Sequence, residues 1–456
     1  MAAAAPLVRL DYTGCLRERI GGAGFTSAEI QAACTRAERQ RKALARRLGS
    51  GNYGFDEILD DDTLVEASIR EGRRLSRMAD TLIVDGIGGS ALGALALQTA
   101  LRPRRRLVIL DNVDPEGVAA RLEGIDARRA AVNVITKSGS TAETMANLLV
   151  LLAWMEKRLG AEHLRRWSAT TDPEKGDLLA LARRLGIPTL PVPANVGGRF
   201  SVLTPVGLVP AAFLGVDVPA LIAGARAMRA HCWDTAPARN VGVEGAVLLH
   251  AFATRRGRNI QVLMPYADAL VHLADWYKQL WAESLGKRVD RKGRPVQTGQ
   301  TPVTALGATD QHSQVQLYME GPDDKVVTFF ELQEFRKDVR IPRLHVDLAS
   351  LGYLAGRSLG ELLIAERRGT EIALTSAGRP NFTYLVPKLS AHVLGQLLYL
   401  FEFQTALSGE LYGIDAFDQP GVEAGKVAAY ALMGRKGYEK QGASLRKELQ
   451  RSRAVI

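Results

Sequence analysis

Two short loops rich in glycine and hydroxyl groups hold the first chemistry in this 456-residue chain. One is Asp85-Gly86-Ile87-Gly88-Gly89-Ser90-Ala91-Leu92-Gly93, between the apolar run Thr81–Asp85 and a helical stretch. Glycines let backbone amides come close to an anion, and Ser90 adds a hydroxyl at a helix start. Asp111, at the end of the next apolar run, gives the spacing of a dinucleotide site, but that fingerprint needs glycine where Ala91 stands. A tight strand–helix turn with no ligand is the competing reading. The other loop is Thr136-Lys137-Ser138-Gly139-Ser140-Thr141, again between an apolar run and a helix. Its hydroxyls, lysine and glycine make an anion nest, while the glycine and G-K-[ST] order of a P-loop are missing. A compact phosphate monoester suits it better than a nucleotide. Plain helix capping by Ser140 or Thr141 is the alternative. Two such loops at the carboxyl ends of neighbouring parallel strands weigh against coincidence.

Four further residues have the right types for proton transfer and charge stabilisation. Arg199 sits on the Gly197-Gly198 turn of Asn195–Ser201, either reaching an oxyanion or lying on a surface turn. Glu283 ends the helix predicted over Leu270–Ser284, whose apolar stripe is Leu270, Leu273, Tyr277, Leu280 and Trp281. The negative pole of a helix C-terminus raises a carboxylate's pKa and suits a base; an exposed pair with Lys287 is the other reading. His312, in Thr309-Asp-Gln-His, opens another helix and is a candidate acid–base group or a structural histidine. Lys426 is a candidate proton carrier or the i, i+3 partner of Glu423.

Positioning these groups falls to apolar strands alternating with helices. Thr81–Asp85, Arg106–Leu110 and Ala131–Ile135 read as strands, and Ser27–Leu48 and Ala142–Lys157 as helices. Residues 186–240 read as irregular. Alternation resumes with a helix at Val241–Thr254, strands at Asn259–Leu263, Val326–Glu331 and Glu371–Leu374, and helices at Leu354–Arg368, Ala391–Ser408 and Pro420–Met433. Strands apolar throughout belong to a parallel sheet covered on both faces.

Composition narrows the classes. Hydrophobic and charged shares of 46% and 24%, with mean hydropathy −0.04, are those of a globular chain of two or three domains. The longest apolar stretch, Leu148–Met155, is too short for a bilayer, and Met1–Leu10 has no signal core, which predicts a cytoplasmic protein. Cys15, Cys34 and Cys232 form no C-x-x-C pair, and no close His/Asp/Glu cluster has metal-ligand spacing. The net charge of +10 draws anions without naming them. The basic runs Arg36–Arg47, Arg102–Arg106 and Arg435–Arg453 lack aromatic interleaving, so nucleic acid is not an expected partner.

Taken together, the segments resemble the phosphoglucose isomerase (glucose-6-phosphate isomerase) family, in its shorter bacterial form, over about Gly54–Gly434. NVGGRFSVLTPVG (Asn195–Gly207) and GELYGIDAFDQPGVEAGK (Gly409–Lys426) are close to diagnostic. GIGGS and TKSGST match the family's phosphate loops, WAESLGK its glutamate segment and TDQH its histidine segment. Ala282 stands where glycine is frequent in bacterial members. The resemblance implies an α/β fold of two tandem sugar isomerase (SIS) domains, each a parallel sheet sandwiched by helices. The expected division is an N-terminal helical segment 1–50, SIS domains 51–225 and 226–434, and a basic C-terminal tail 435–456.

The resemblance also implies roles. Gly89, Ser90, Thr136, Lys137, Ser138 and Thr141 hold the 6-phosphate, with Gln419 near the sugar or phosphate. Glu283 moves hydrogen between C2 and C1, Arg199 stabilises the enediolate, and His312 and Lys426 assist ring opening. The expected reaction interconverts glucose 6-phosphate and fructose 6-phosphate without metal or nicotinamide, in a homodimer whose subunits share active sites. A dehydrogenase, which needs the missing third glycine, and a non-catalytic SIS-type sensor, which would not need Glu283, are the alternatives.

Overall fold

Thr81–Asp85 and Ala130–Thr136, apolar on both faces, become fully buried strands at the centre of a sheet in the computed structural model, which describes Leu7–Leu449. In chain order the strands are β1 Arg9–Asp11, β2 Thr81–Asp85, β3 Arg106–Leu110, β4 Ala130–Thr136, β5 Trp167–Thr171, β6 Thr189–Pro191, β7 Ile260–Pro265, β8 Lys287–Val289, β9 Pro295–Thr298, β10 Thr301–Thr304, β11 Lys325–Leu332 and β12 Asn381–Val386. The first sheet has the order β3-β2-β4-β5-β6, parallel throughout. Leu82, Val84, Ala131 and Ile135 pack on Val206, Val209 and Phe213 on one side. Ile83, Val132 and Val134 pack on Leu148, Leu151 and Met155 of the helix Ala142–Leu159 on the other. The second sheet, β1-β12-β11-β7-β10, is parallel except at one edge, where β1 runs antiparallel to β12 with Arg9 opposite Leu385. Helices covering both sheets are the predicted architecture.

Three expectations about elements change. Residues 186–240, read as irregular, contain the helices Pro205–Leu214 and Val218–Asp234. All ten residues of the first are buried, so it shows no amphipathic period; its signals are Thr204 capping Val206, Pro205 at the start and Gly215 at the end. Glu371–Leu374, read as a strand, lies inside the helix Leu359–Ser376, which opens with a Ser358/Glu361 capping box. Its buried residues Arg367, Thr370 and Leu374 have helical spacing, and the strand that follows is β12. The predicted helix Leu354–Arg368 accordingly starts later and runs longer.

The described residues form two compact units, one ending at Ala416 and one beginning at Phe417, a division that falls inside the expected domain 226–434. By itself the second unit is a helical hairpin. A turn at Pro420–Val422 leads into the helix Glu423–Leu432, and Gly434 and Gly437 precede the helix Glu439–Leu449. Much of the expected basic tail is therefore helical; its residues 450–456, like Met1–Pro6 of the N-terminal segment, lie outside the described residues. Among the described residues no helix is long and apolar enough to cross a membrane.

Candidate active site

Because β2 and β4 are parallel neighbours, with Asp85 opposite Val134, the two anion loops leave the same end of the sheet. In the second loop Gly139 takes φ +65°, a left-handed conformation that turns the chain back on itself. Three hydroxyls then converge. Thr136 Oγ1 lies 2.9 Å from Thr141 Oγ1 and 3.4 Å from Ser138 Oγ, and Ser138 Oγ lies 3.2 Å from Thr141 Oγ1. Thr141 occupies the N-cap of Ala142–Leu159, yet its side chain makes no capping hydrogen bond. The hydroxyl is committed to the cluster instead, so plain capping does not account for the loop. Thr136 is buried and Ser138 exposed, which gives the cluster a closed and an open side.

Lys137 behaves differently from an open phosphate cation. Its Nζ donates to the carbonyls of Ala194 and Val196, both at 2.8 Å. Burial pulls its pKa below the usual lysine value, with Asp172 acting in the opposite sense. The ammonium thus ties this loop to the segment that carries Arg199.

A second seam joins the first loop to the same segment. A side chain at Gly89 would place its Cβ 2.2 Å from the Gly198 carbonyl oxygen, so only glycine allows this approach. Ser90, next to it, is half-buried, and its hydroxyl bonds to no described residue. The turns Gly88–Ser90 and Gly198–Phe200 both touch the helix Val271–Leu285, which carries Glu283.

Arg199 is 3% exposed, so the reading as a surface turn fails. A charge that buried needs fixed partners. Nε donates to Ser284 Oγ at 2.7 Å, one terminal nitrogen donates to the Ala416 carbonyl at 2.6 Å, and the other lies 3.6 Å from Glu283 Oε1. The Ala416 carbonyl is held in turn by ion pairs just before it: Arg47 bridges Glu410 at 3.2 Å and Asp415 at 3.0 Å, and Arg291 reaches Glu410 at 2.7 Å. Glu283 remains 26% exposed at its side chain. Its Oε2 accepts from Gln279 at 3.2 Å, and Lys287 donates to its backbone carbonyl at 2.9 Å. A reachable carboxylate beside a fixed, buried guanidinium can take a proton from carbon and stabilise the negative oxygen that results.

His312 is not among these contacts. His312 ends the turn Thr309–His312, stands exposed, and its ring hydrogen-bonds to no described residue. The turn itself is anchored by Gln311, which donates to the Tyr266 hydroxyl at 2.8 Å and the Glu366 carbonyl at 3.0 Å. Gln419 and Lys426 belong to the second unit, where Lys426 Nζ donates to Glu423 at 3.0 Å, the i, i+3 pairing its spacing allows. Gln279 and Ser284, which touch Glu283 and Arg199, were not singled out from sequence. Gln279 lies one helical turn before Glu283, a usable signal; nothing in the sequence links Ser284 to Arg199.

Comparison with known proteins identifies the family. The profile of the family described as phosphoglucose isomerase matches residues 65–445. A glucose-6-phosphate isomerase of Carboxydothermus hydrogenoformans is 45% identical over 91% of this chain and 92% of its own length. One of Rubrobacter xylanophilus is 46% identical over 94% of this chain and 99% of its own. The crystal structure of a hypothetical protein from Thermus thermophilus superposes with a TM-score of 0.86 at 37% identity, covering 94% of this chain and all of that one. Matched by that profile over residues 65–445 and by these relatives over most of its length, the chain belongs to the phosphoglucose isomerase family.

Proposed function

We propose that this chain interconverts glucose 6-phosphate and fructose 6-phosphate, the aldose–ketose step shared by glycolysis and gluconeogenesis. The observation that carries the reading is the Glu283 carboxylate 3.6 Å from the buried Arg199 guanidinium, beside two anion loops. Thr136, Ser138 and Thr141, with Gly89 and Ser90 across the sheet end, hold the 6-phosphate. The phosphate takes no part in bond making; its binding orients C1 and C2 against Glu283. His312 and Lys426 move the protons that open the sugar ring, with Gln419 near the sugar or phosphate. Glu283 then removes the C2 hydrogen and returns it to C1 as the hydroxyl proton on O2 passes to O1, while Arg199 stabilises the enediolate oxygen between the two steps. A positioned base supplies roughly 10²–10⁴-fold and a fixed donor at the oxyanion roughly another 10²–10³-fold.

The working form is a homodimer in the cytoplasm, with His312 acting in the neighbouring subunit's site. What supports this is an exposed His312 whose ring bonds to none of the described residues, whereas Arg199 and Glu283 meet within one chain. Isologous two-fold contact allows each subunit to give and receive the same residue. A coupled assay following fructose 6-phosphate to glucose 6-phosphate, with EDTA present, tests the activity. Steady turnover is expected; no turnover in a folded, phosphate-binding protein would overturn it.

A further inference from the structure

We infer that Lys137 is a positioning residue for Arg199, locking the Ala194–Arg199 segment to the second anion loop instead of contacting the phosphate with its ammonium. The inference rests on the role proposed above for Arg199.

An ammonium has three donors. Two of them go to carbonyls two residues apart, Ala194 and Val196, which grip Nζ from one side. The segment they belong to has little regular structure of its own. Besides the bonds of Arg199 itself to Ser284 and Ala416, its ties include the Gly54 amide on the Asn195 carbonyl at 2.9 Å, the Asn195 side chain on the Gly51 carbonyl at 3.0 Å, and the Val196 amide on the Pro193 carbonyl at 3.0 Å. Lys137 is therefore its link to β4, and through β4 to the Thr136–Thr141 cluster. Val196 stands three residues before Arg199, and Gly198, one before it, is wedged against Gly89 of the first loop. Both phosphate loops are thus joined to the arginine segment, one by an ammonium and one by backbone contact. Phosphate bound between them orders the same body that carries the oxyanion cation, so anchoring at C6 is felt at C1 and C2.

The test compares wild type, Lys137→Met, Arg199→Gln and the double variant. Lys137→Met is expected to lower kcat about 10²-fold, while competitive inhibition by inorganic phosphate stays within about twofold of wild type. In the Arg199→Gln background the same change should cost less than about threefold, because the group it positions is already gone. Lys137→Arg, which keeps the charge and has N–H donors to spare for the two carbonyls, should recover part of the rate and shows whether the loss is one of folding. Hydrogen–deuterium exchange over residues 193–201 should be faster in Lys137→Met, whether or not the protein turns over sugar. Loss of phosphate inhibition at preserved kcat would put the ammonium on the phosphate and end the inference. So would additive losses in the double variant, or unchanged exchange over 193–201. Failure of wild type to isomerise would instead remove the proposed activity and leave the exchange result to decide on Lys137.

Discussion

In the proposed reaction Arg199 and Glu283 divide two duties that one residue cannot combine. The guanidinium is buried, and Ser284 and the Ala416 carbonyl fix its direction, so little reorganisation is needed when charge develops beside it. The carboxylate is the half-open partner, steadied on one oxygen by Gln279 and accessible on its outer side. The same proposal gives the neutral hydroxyls the work of binding. Ser138→Ala and Thr141→Ala are each expected to weaken sugar-phosphate inhibitors by roughly 1–3 kcal/mol, with binding of an unphosphorylated sugar unchanged. Titration of 6-phosphogluconate against both variants checks this, and wild-type affinity in both would place the anion nest elsewhere.

One close approach and one buried carboxylate beneath the first loop each make a forecast. Alanine at Gly89 would push the Gly198 carbonyl away and carry Arg199 with it. Gly89→Ala should lose about 10²-fold in kcat while staying folded, as kinetics beside a melting curve would show. Asp85 closes β2 under the first loop; among the described residues neither of its oxygens is held by a well-formed hydrogen bond, and burial, offset only in part by Asn147, raises its pKa to about 8. With the folded pKa above the unfolded one, stability is full below the ordinary carboxylate range. It falls as pH rises toward about 8 and then levels. Asp85→Asn removes that loss, so its melting temperature should gain on wild type more at pH 8.5 than at pH 5. An equal offset at both values would contradict a buried, proton-holding Asp85.

How far the elements were legible follows from the same physics. β2, β3 and β4 show themselves as apolar runs because both faces are covered, and the loops after them by composition. β6 is three residues long and Pro205–Leu214 is apolar all round, so neither leaves a periodic signal. Glu371–Leu374 looks like a strand because a short apolar run has no period until its capping box and buried spacing are known. At the site, residue types pointed to Glu283, Arg199 and the hydroxyl loop. The partners of Lys137 and Arg199 depend on chain crossings of 57 to 217 positions, which local patterns do not encode.

For the whole molecule the question is whether one chain makes a complete site. Glu283→Gln and His312→Ala, each inactive alone, should restore activity when unfolded, mixed and refolded together. In a mixed dimer one site carries both defects and the other neither. Random pairing makes about half the dimers mixed and returns about a quarter of wild-type sites. Re-formed dimers on gel filtration with activity no higher than the parents would show that each chain uses its own histidine.

The central claim is that Glu283 moves hydrogen between C2 and C1, and isotope exchange reads that step most directly. Fructose 6-phosphate or glucose 6-phosphate in D2O is followed by proton NMR at C1 and C2 with wild type and with Glu283→Gln. Wild type should wash deuterium into both positions. The variant should lose this exchange at least about 10³-fold, in step with isomerisation, while 6-phosphogluconate still binds. Exchange at the wild-type rate in Glu283→Gln would mean that another group is the base.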